Sequence, residues 1–227
     1  MIEVDLARSS VRTLNERLHH LTPRANELHW RVLNPAGAHN IAVGITQRVD
    51  VEIKGHVGYY CAGMNAAATV VVDGHAGTGL AENIMSGLVR VSGNASQSAA
   101  ASGRGGFVVI EGSAGARCGI SMKGVAIVVG GSVGHMSAFM GQAGTLIVCG
   151  EAGQDLGDSL YEAEIFVAGT VASLGADCIE KEMTQDAVEH VAALLDRAGI
   201  TANANRFRHY GSARRLYNFH IDHASEY

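Results

Sequence analysis

The sequence specifies an all-β fold, a right-handed parallel β-helix of seven 19-residue coils with a helix at each end. Three observations predict it: a glycine that recurs every 19 residues, aliphatic residues at fixed places before it, and a composition rich in glycine but nearly free of proline. Gly55, Gly74, Gly93, Gly112, Gly131, Gly150 and Gly169 mark the period. Two places before them stand Ile53, Val72, Val91, Ile110, Val129, Val148 and Val167, and four places before stand Val51, Val70, Val89, Val108, Ile127, Leu146 and Ile165. All but Leu146 are β-branched, the type that suits a pleated strand. Two places after each glycine come Val57, Ala76, Ala95, Ala114, Val133, Ala152 and Val171. A second glycine follows in most coils, at 58, 77, 115, 134 and 153. Each coil therefore reads as a short strand, a Gly-x-[Val/Ala]-Gly bend and a second segment.

A unit of this length cannot bury its own apolar face, so it must stack on its neighbours. With no insertions, each residue lies above its counterpart at about 4.8 Å, and seven coils make a column roughly 30–35 Å long. Glycine suits the bends because it adopts positive φ freely and lets backbones approach closely. A left-handed β-helix would show a period of six, and leucine-rich repeats would show a leucine pattern; neither is present.

The flanks read as helices. Residues 10–21 place Val11, Leu14, Leu18 and Leu21 on one face, with Ser9 or Ser10 as N-cap. Residues 184–198 form a second helix, capped by Thr184, striped by Val188, Val191, Leu194 and Leu195, and ended by Gly199. Solenoid ends expose strand edges and core, so both helices are expected to cap the column or cover its side. The chain divides into an N-terminal helix and lead-in (1–35), the β-helix (36–183), and a C-terminal helix and tail (184–227). The polar and aromatic tail from Thr201 carries Arg206, Arg208, Arg214 and Arg215, a run that reads as solvated surface.

Composition excludes several functions. Of 227 residues 29 are glycine, nearly twice the usual share of about 7%. The net charge of −5 offers no footprint for nucleic acid or anionic membrane. No apolar run approaches the ~18–20 residues that span a bilayer, and the N-terminus does not read as a secretory signal, so a cytoplasmic location is expected.

The search for chemistry yields little. Cys61 and Cys118 share a coil offset but lie three coils apart, roughly 14 Å at the stacking distance, too far for a disulfide or shared metal. Cys149 and Cys178 occupy other offsets, and all four read as buried reduced thiols. His56 and His75 should stack in adjacent coils; Asn94 and Ser113 continue their column, which suggests a polar ladder rather than a metal site. Asp155 and Asp158 stand near Glu162 and Glu164, where paired carboxylates could do acid–base work, though a solvated bend is the plainer reading. The GRGG segment at 103–106 lacks the lysine and strand–helix context of a phosphate loop. No catalytic, cofactor-binding or metal-binding residue is assigned.

One row points outward. Side chains alternate faces along a strand, so the place three before each glycine faces away from the core. It reads Glu52, Val71, Arg90, Val109, Val128, Ile147 and Phe166. The apolar stretch Val109, Val128, Ile147 and Phe166 must be covered, either by the chain's own C-terminal helix or by a partner. It is the candidate partner surface.

Residues 51–93, VEIKGHVGYYCAGMNAAATVVVDGHAGTGLAENIMSGLVRVSG, resemble the C-terminal β-helix (GXGXG) domain of the glutamate synthase large subunit. Shared features are the run Lys-Gly-x-[Ala/Val]-Gly, a following coil with methionine and asparagine, and a later glycine-rich segment, here Ala-Glu-Asn-Ile-Met-Ser-Gly-Leu-Val, which departs at its first glycines. The resemblance covers roughly residues 30–180. It implies a split version of that domain, as in the freestanding β-helix subunit of N-methylglutamate synthase, which makes N-methylglutamate and ammonia from glutamate and methylamine. The implied partners are a glutamine-amidotransferase-like subunit and a synthase subunit that holds FMN and an iron–sulfur cluster, with no cofactor in this chain. The alternative is the β-helix subunit of a formylmethanofuran dehydrogenase or of a formyltransferase/hydrolase complex. In each the β-helix is a structural part of the complex, so the motif residues carry over as structural glycines and aliphatics only.

Overall fold

The 19-residue period becomes a stack of parallel strands in a single register. A computed structural model describes residues 1–21 and 28–213. Its strands are β1 (Ile2–Asp5), β2 (His29–Leu33), β3 (Asp50–Lys54), β4 (Thr69–Asp73), β5 (Leu88–Val91), β6 (Phe107–Ile110), β7 (Lys123–Val129), β8 (Ala143–Val148), β9 (Glu164–Val167), β10 (Cys178–Lys181) and β11 (Arg208–Ser212). The helices are α1 (Val11–His19) and α2 (Gln185–Ala198). All the strands join one sheet in the order β1-β2-β3-β4-β5-β6-β7-β8-β9-β11-β10. From β3 to β9 the pairing keeps the sequence period: Val51 faces Val70, Val70 faces Val89, and so on to Leu146 and Ile165. The two inward rows are buried throughout. A second ladder runs through the bends, where Val57, Ala76, Ala95, Ala114, Val133, Ala152 and Val171 bridge in succession. The fold is the parallel β-solenoid of about seven turns that the sequence specifies.

Of the two reasons expected for the repeat glycines, close backbone approach operates and positive φ, beyond Gly55, does not. Only Gly55 among them has a clearly positive φ. The others are needed because the backbone of the coil below lies too close. A Cβ on Gly74 would stand 2.7 Å from the carbonyl carbon of Gly55, and one on Gly150 would stand 2.8 Å from the carbonyl oxygen of Gly131. Glycines also bond to glycines along the column. The N–H of Gly93 donates to the carbonyl of Gly74 at 2.9 Å, Gly131 to Gly112 at 2.8 Å, and Gly150 to Gly131 at 2.8 Å.

Positive φ falls instead mainly on residues with side chains, in the segment that follows each bend. Ser98, Ala100 and Ser102 have φ of 58°, 56° and 55°, and Met136, Ala138 and Met140 repeat the pattern two coils on. Left-handed geometry costs an ordinary residue about 1–2 kcal/mol. Hydrogen bonds to both neighbouring coils offset it. The Ser98 N–H donates to Ala116 above, that of Ala100 to Leu80 below, and that of Ser102 to Ile120 above.

At both ends the sheet continues beyond the seven repeats. The sheet starts inside the region read as lead-in: β1 pairs with β2, and β2 pairs with β3 at a spacing of 21 residues rather than 19. Helix α1 begins on Ser10, whose hydroxyl accepts the Thr13 N–H at 3.1 Å, and ends at His19 rather than reaching residue 21. Its Leu14 and Leu18 are buried against the base of the core. Asn15 replaces a missing coil: its side chain donates to the Asn40 carbonyl at 2.8 Å and accepts the Ala42 N–H at 3.0 Å. At the other end the tail supplies β11, which pairs antiparallel with β9 and then with β10, while Arg206 and Arg208 of its charge run lie exposed as expected. Phe207 and Tyr210 are buried there, and the Arg208 guanidinium donates to the Gly169 carbonyl at 2.9 Å. Arg214 and Arg215 lie outside the described residues.

Helix α2 carries the caps foreseen for it, with Thr184 accepting the Ala187 N–H and Gly199 left-handed at φ 64°. Val191, Leu195 and Ala198 pack on Phe107, Val109, Val128, Ile147 and Phe166, joined by Phe207. The four residues of the outer apolar row are at most 1% exposed. The row is therefore covered by the chain itself and presents nothing to a partner. Arg90, one coil below, donates to the Ala198 carbonyl at 2.8 Å, a cation placed at the helix C-terminus where the dipole favours it. Changing Val128 and Ile147 together to Lys should thus lower the melting temperature of the isolated chain by about 10 °C or more, because two ammonium groups would be buried without partners. An unchanged melt, followed by circular dichroism, would show that α2 does not seal this face.

Candidate functional site

Stacking turns single residues into rows, and any site on this fold is a row or an end. The place after each repeat glycine forms one such row. His56 and His75 stack with ring centroids 4.9 Å apart. The Nδ1 of His56 accepts the His75 N–H at 3.0 Å, and the Nδ1 of His75 accepts the Asn94 N–H at 2.8 Å. The side chains of Asn94, Ser113 and Ser132 each accept the N–H of the next coil, at 2.8, 3.1 and 2.9 Å. The column ends with the Thr170 hydroxyl donating to Glu151 at 3.0 Å. This is the polar ladder expected from sequence: each side chain accepts an N–H that the tight glycine bend leaves pointing along the column.

The acidic bend is likewise committed to structure. Asp158 accepts from the Ser159 hydroxyl at 2.6 Å and from the Ala176 N–H at 3.2 Å, and Asp155 accepts from the Ser173 hydroxyl at 3.4 Å. Glu164 lies apart from both, 3.4 Å from His209 of β11. The His209 contact holds the Glu164 carboxyl below the ordinary carboxylate range. These two line a cleft of about 350 Å³ with Tyr161, Glu162, Lys181 and Ser212, at the C-terminal end of the column. Sequence reasoning missed this cleft because β11 lies outside the repeat; the one signal was the alternation of Phe207 and His209 with Arg206, Arg208 and Tyr210. Beside it the Tyr210 hydroxyl is buried with no hydrogen-bond partner among the described residues, and burial raises its pKa.

On the strand face below α2, charges pair across coils. Glu52 meets Arg31 of the coil below at 2.9 Å and Lys54 of its own strand at 2.6 Å, which lowers its pKa, with Lys54 the larger influence. Arg90 meets Glu111 at 2.7 Å. Among the described residues no group of three or more His, Cys, Asp or Glu side chains is placed to hold a metal ion. No described helix is long and apolar enough to cross a membrane.

Taken together, these features define a capped β-solenoid whose polar residues chiefly knit one coil to the next. The chain is similar over nearly all its length to Protein GlxC of Rhizobium meliloti (strain 1021): 61% identity over 225 residues, covering 99% of each chain. It belongs to the family of that protein. No protein-family model matches the chain, and no solved structure does.

The four cysteines are free, and Cys61, Cys118 and Cys178 are buried. Burial pushes the Cys61 and Cys118 thiols up to about 12 and that of Cys178 up to about 11. Only the thiolate reacts, so near pH 8 the native population of reactive thiolate at Cys61 and Cys118 is negligible. Treatment with iodoacetamide at that pH should leave both unmodified in the folded chain, and denaturant should expose all four. Modification of Cys61 or Cys118 under native conditions, read by peptide mass, would mean that the column opens at those coils.

Proposed function

We propose that this chain is a non-catalytic structural subunit of a glutamate-synthase-like complex of the N-methylglutamate synthase type. One observation carries the reading. The Gly-x-[Val/Ala]-Gly positions behind the resemblance to the glutamate synthase β-helix are those where successive coils touch, glycine backbone against glycine backbone. The shared motif therefore encodes a rigid column, a form suited to holding other subunits in place. The polar side chains that chemistry would need are engaged between coils, as at His56, His75 and Asp158. On this reading the FMN and the iron–sulfur cluster belong to a synthase-type subunit, and this chain joins that subunit to an amidotransferase-like one.

The purified chain alone is expected to show neither flavin nor iron–sulfur absorbance and no N-methylglutamate formation. Co-expressed with the two other subunits, it should co-purify with them in fixed stoichiometry, and the activity should depend on its presence. A chromophore stoichiometric with this chain after separation from all partners would overturn the structural role. Stable assembly with a metal-dependent amidohydrolase-like subunit instead would assign the chain to a formyl-transfer complex.

A further inference from the structure

A second outward row crosses the coil bends on the left-handed side of the column. It consists of Met85, Arg104, Lys123, Gln142 and Tyr161, each 19 residues from the next and all exposed. Backbone bonds hold them in line: Met85 N–H donates to Asn65 at 2.8 Å, Arg104 to Ile84 at 2.7 Å, Lys123 to Gly103 at 2.7 Å, Gln142 to Met122 at 2.7 Å and Tyr161 to Gly141 at 2.8 Å. Arg104 and Lys123 are thus neighbours at about 4.8 Å, and like charges side by side on such a ladder are destabilising. Neither has an ion-pair partner among the described residues. The strand face is arranged otherwise: there Arg31, Lys54 and Arg90 each meet a carboxylate from an adjacent coil. The two cations also lack screening side chains, because positions 105, 106 and 124 are glycine. Packing fixes two of these: a Cβ on Gly105 would stand 2.6 Å from the Met85 carbonyl oxygen, and one on Gly124 would stand 2.6 Å from that of Arg104. The row is bounded by the exposed apolar side chains Met85 and Tyr161, 47% and 49% accessible.

We infer that this row is a docking surface for an acidic segment of a partner subunit. Resting on the proposed function above, the inference adds where on the column, and by what chemistry, a partner is held. Unmatched cations flanked by methionine and tyrosine are the composition of a protein interface, with aromatic and methionine anchors and a charge pattern that selects the partner. Two stacked cations on a chain of net charge −5 are too few for nucleic acid, which requires an extended basic footprint. The GRGG segment acquires its use here: its glycines keep the backbone flat while its arginine supplies half of the charge.

The test is co-expression of the full-length chain with the amidotransferase-like and synthase-type subunits. The wild type is compared with the double variants Arg104→Glu with Lys123→Glu and Arg104→Gln with Lys123→Gln. The Gln pair should melt at the wild-type temperature or slightly above, since an exposed like-charge contact is removed, and the Glu pair at about the wild-type temperature, since it exchanges one exposed like-charge contact for another. Assembly affinity should fall at least about tenfold for the Glu pair and less for the Gln pair, with the wild-type affinity falling as salt rises. Wild-type affinity in both variants at low salt overturns the inference and leaves the proposed function standing. Failure of the wild type itself to assemble overturns both. Tight binding of a single-stranded oligonucleotide by the wild type, lost in the Glu pair, would overturn a protein partner in favour of nucleic acid.

Discussion

Everything in this structure depends on the approach of one coil's glycine to the glycine below it. From Gly74 to Gly169 each repeat glycine after the first donates its N–H to the carbonyl of its predecessor, at 2.8 to 3.0 Å. A side chain at these places would collide with that carbonyl or with the polar side chain beside it. The contact fixes the rise between coils, and a fixed rise holds every other residue in register. The buried valine and isoleucine rows, the alanine bridges and the polar ladder from His56 to Thr170 follow from it.

A uniform stack also creates needs at its ends and along its bare faces. Asn15 of α1 answers the first coil by mimicking the hydrogen bonds of a coil that is not there. At the opposite end β11 reverses direction against β9 and so ends the parallel stack, with His209 stacked on Phe166 at 4.6 Å. Helix α2 seals the apolar outer row, and Arg90 fastens its C-terminus to the column. Each device uses a side chain or an element to replace what another coil would have provided.

These dependencies decide what could be read from sequence. The seven coils were legible because the same backbone recurs, so each position is written seven times. Both helices were legible through their caps at Ser10 and Thr184. The left-handed conformations of Ala62, Ala81, Ala100 and Ala138 were not, because alanine avoids that region and adopts it only when neighbouring coils bond both sides of the segment. Strand β11 was hidden because it occurs once, and β2 because its coil departs from the period by two residues. Among the site residues, the ladder could be foreseen from its spacing. The pairing of Glu164 with His209 could not, since it joins a coil to a segment outside the repeat. The outer row was legible as apolar and in need of cover, but only the packing of Val191 and Leu195 on it showed what covers it.

On the proposed reading the column serves as a ruler, because the single register of its coils holds surface residues at fixed intervals. That property suits a subunit that positions others, and it requires the glycine contacts to be indispensable. Melting Gly74→Ala, Gly112→Ala and Gly150→Ala variants of the isolated chain tests this most directly. A Gly→Ala change that the backbone tolerates stabilises a protein by about 0.4–1 kcal/mol, whereas overpacking costs about 1–3 kcal/mol. The close approach of coils predicts a lower melting temperature for all three variants, by several degrees each. Melting temperatures at or above the wild-type value would contradict it.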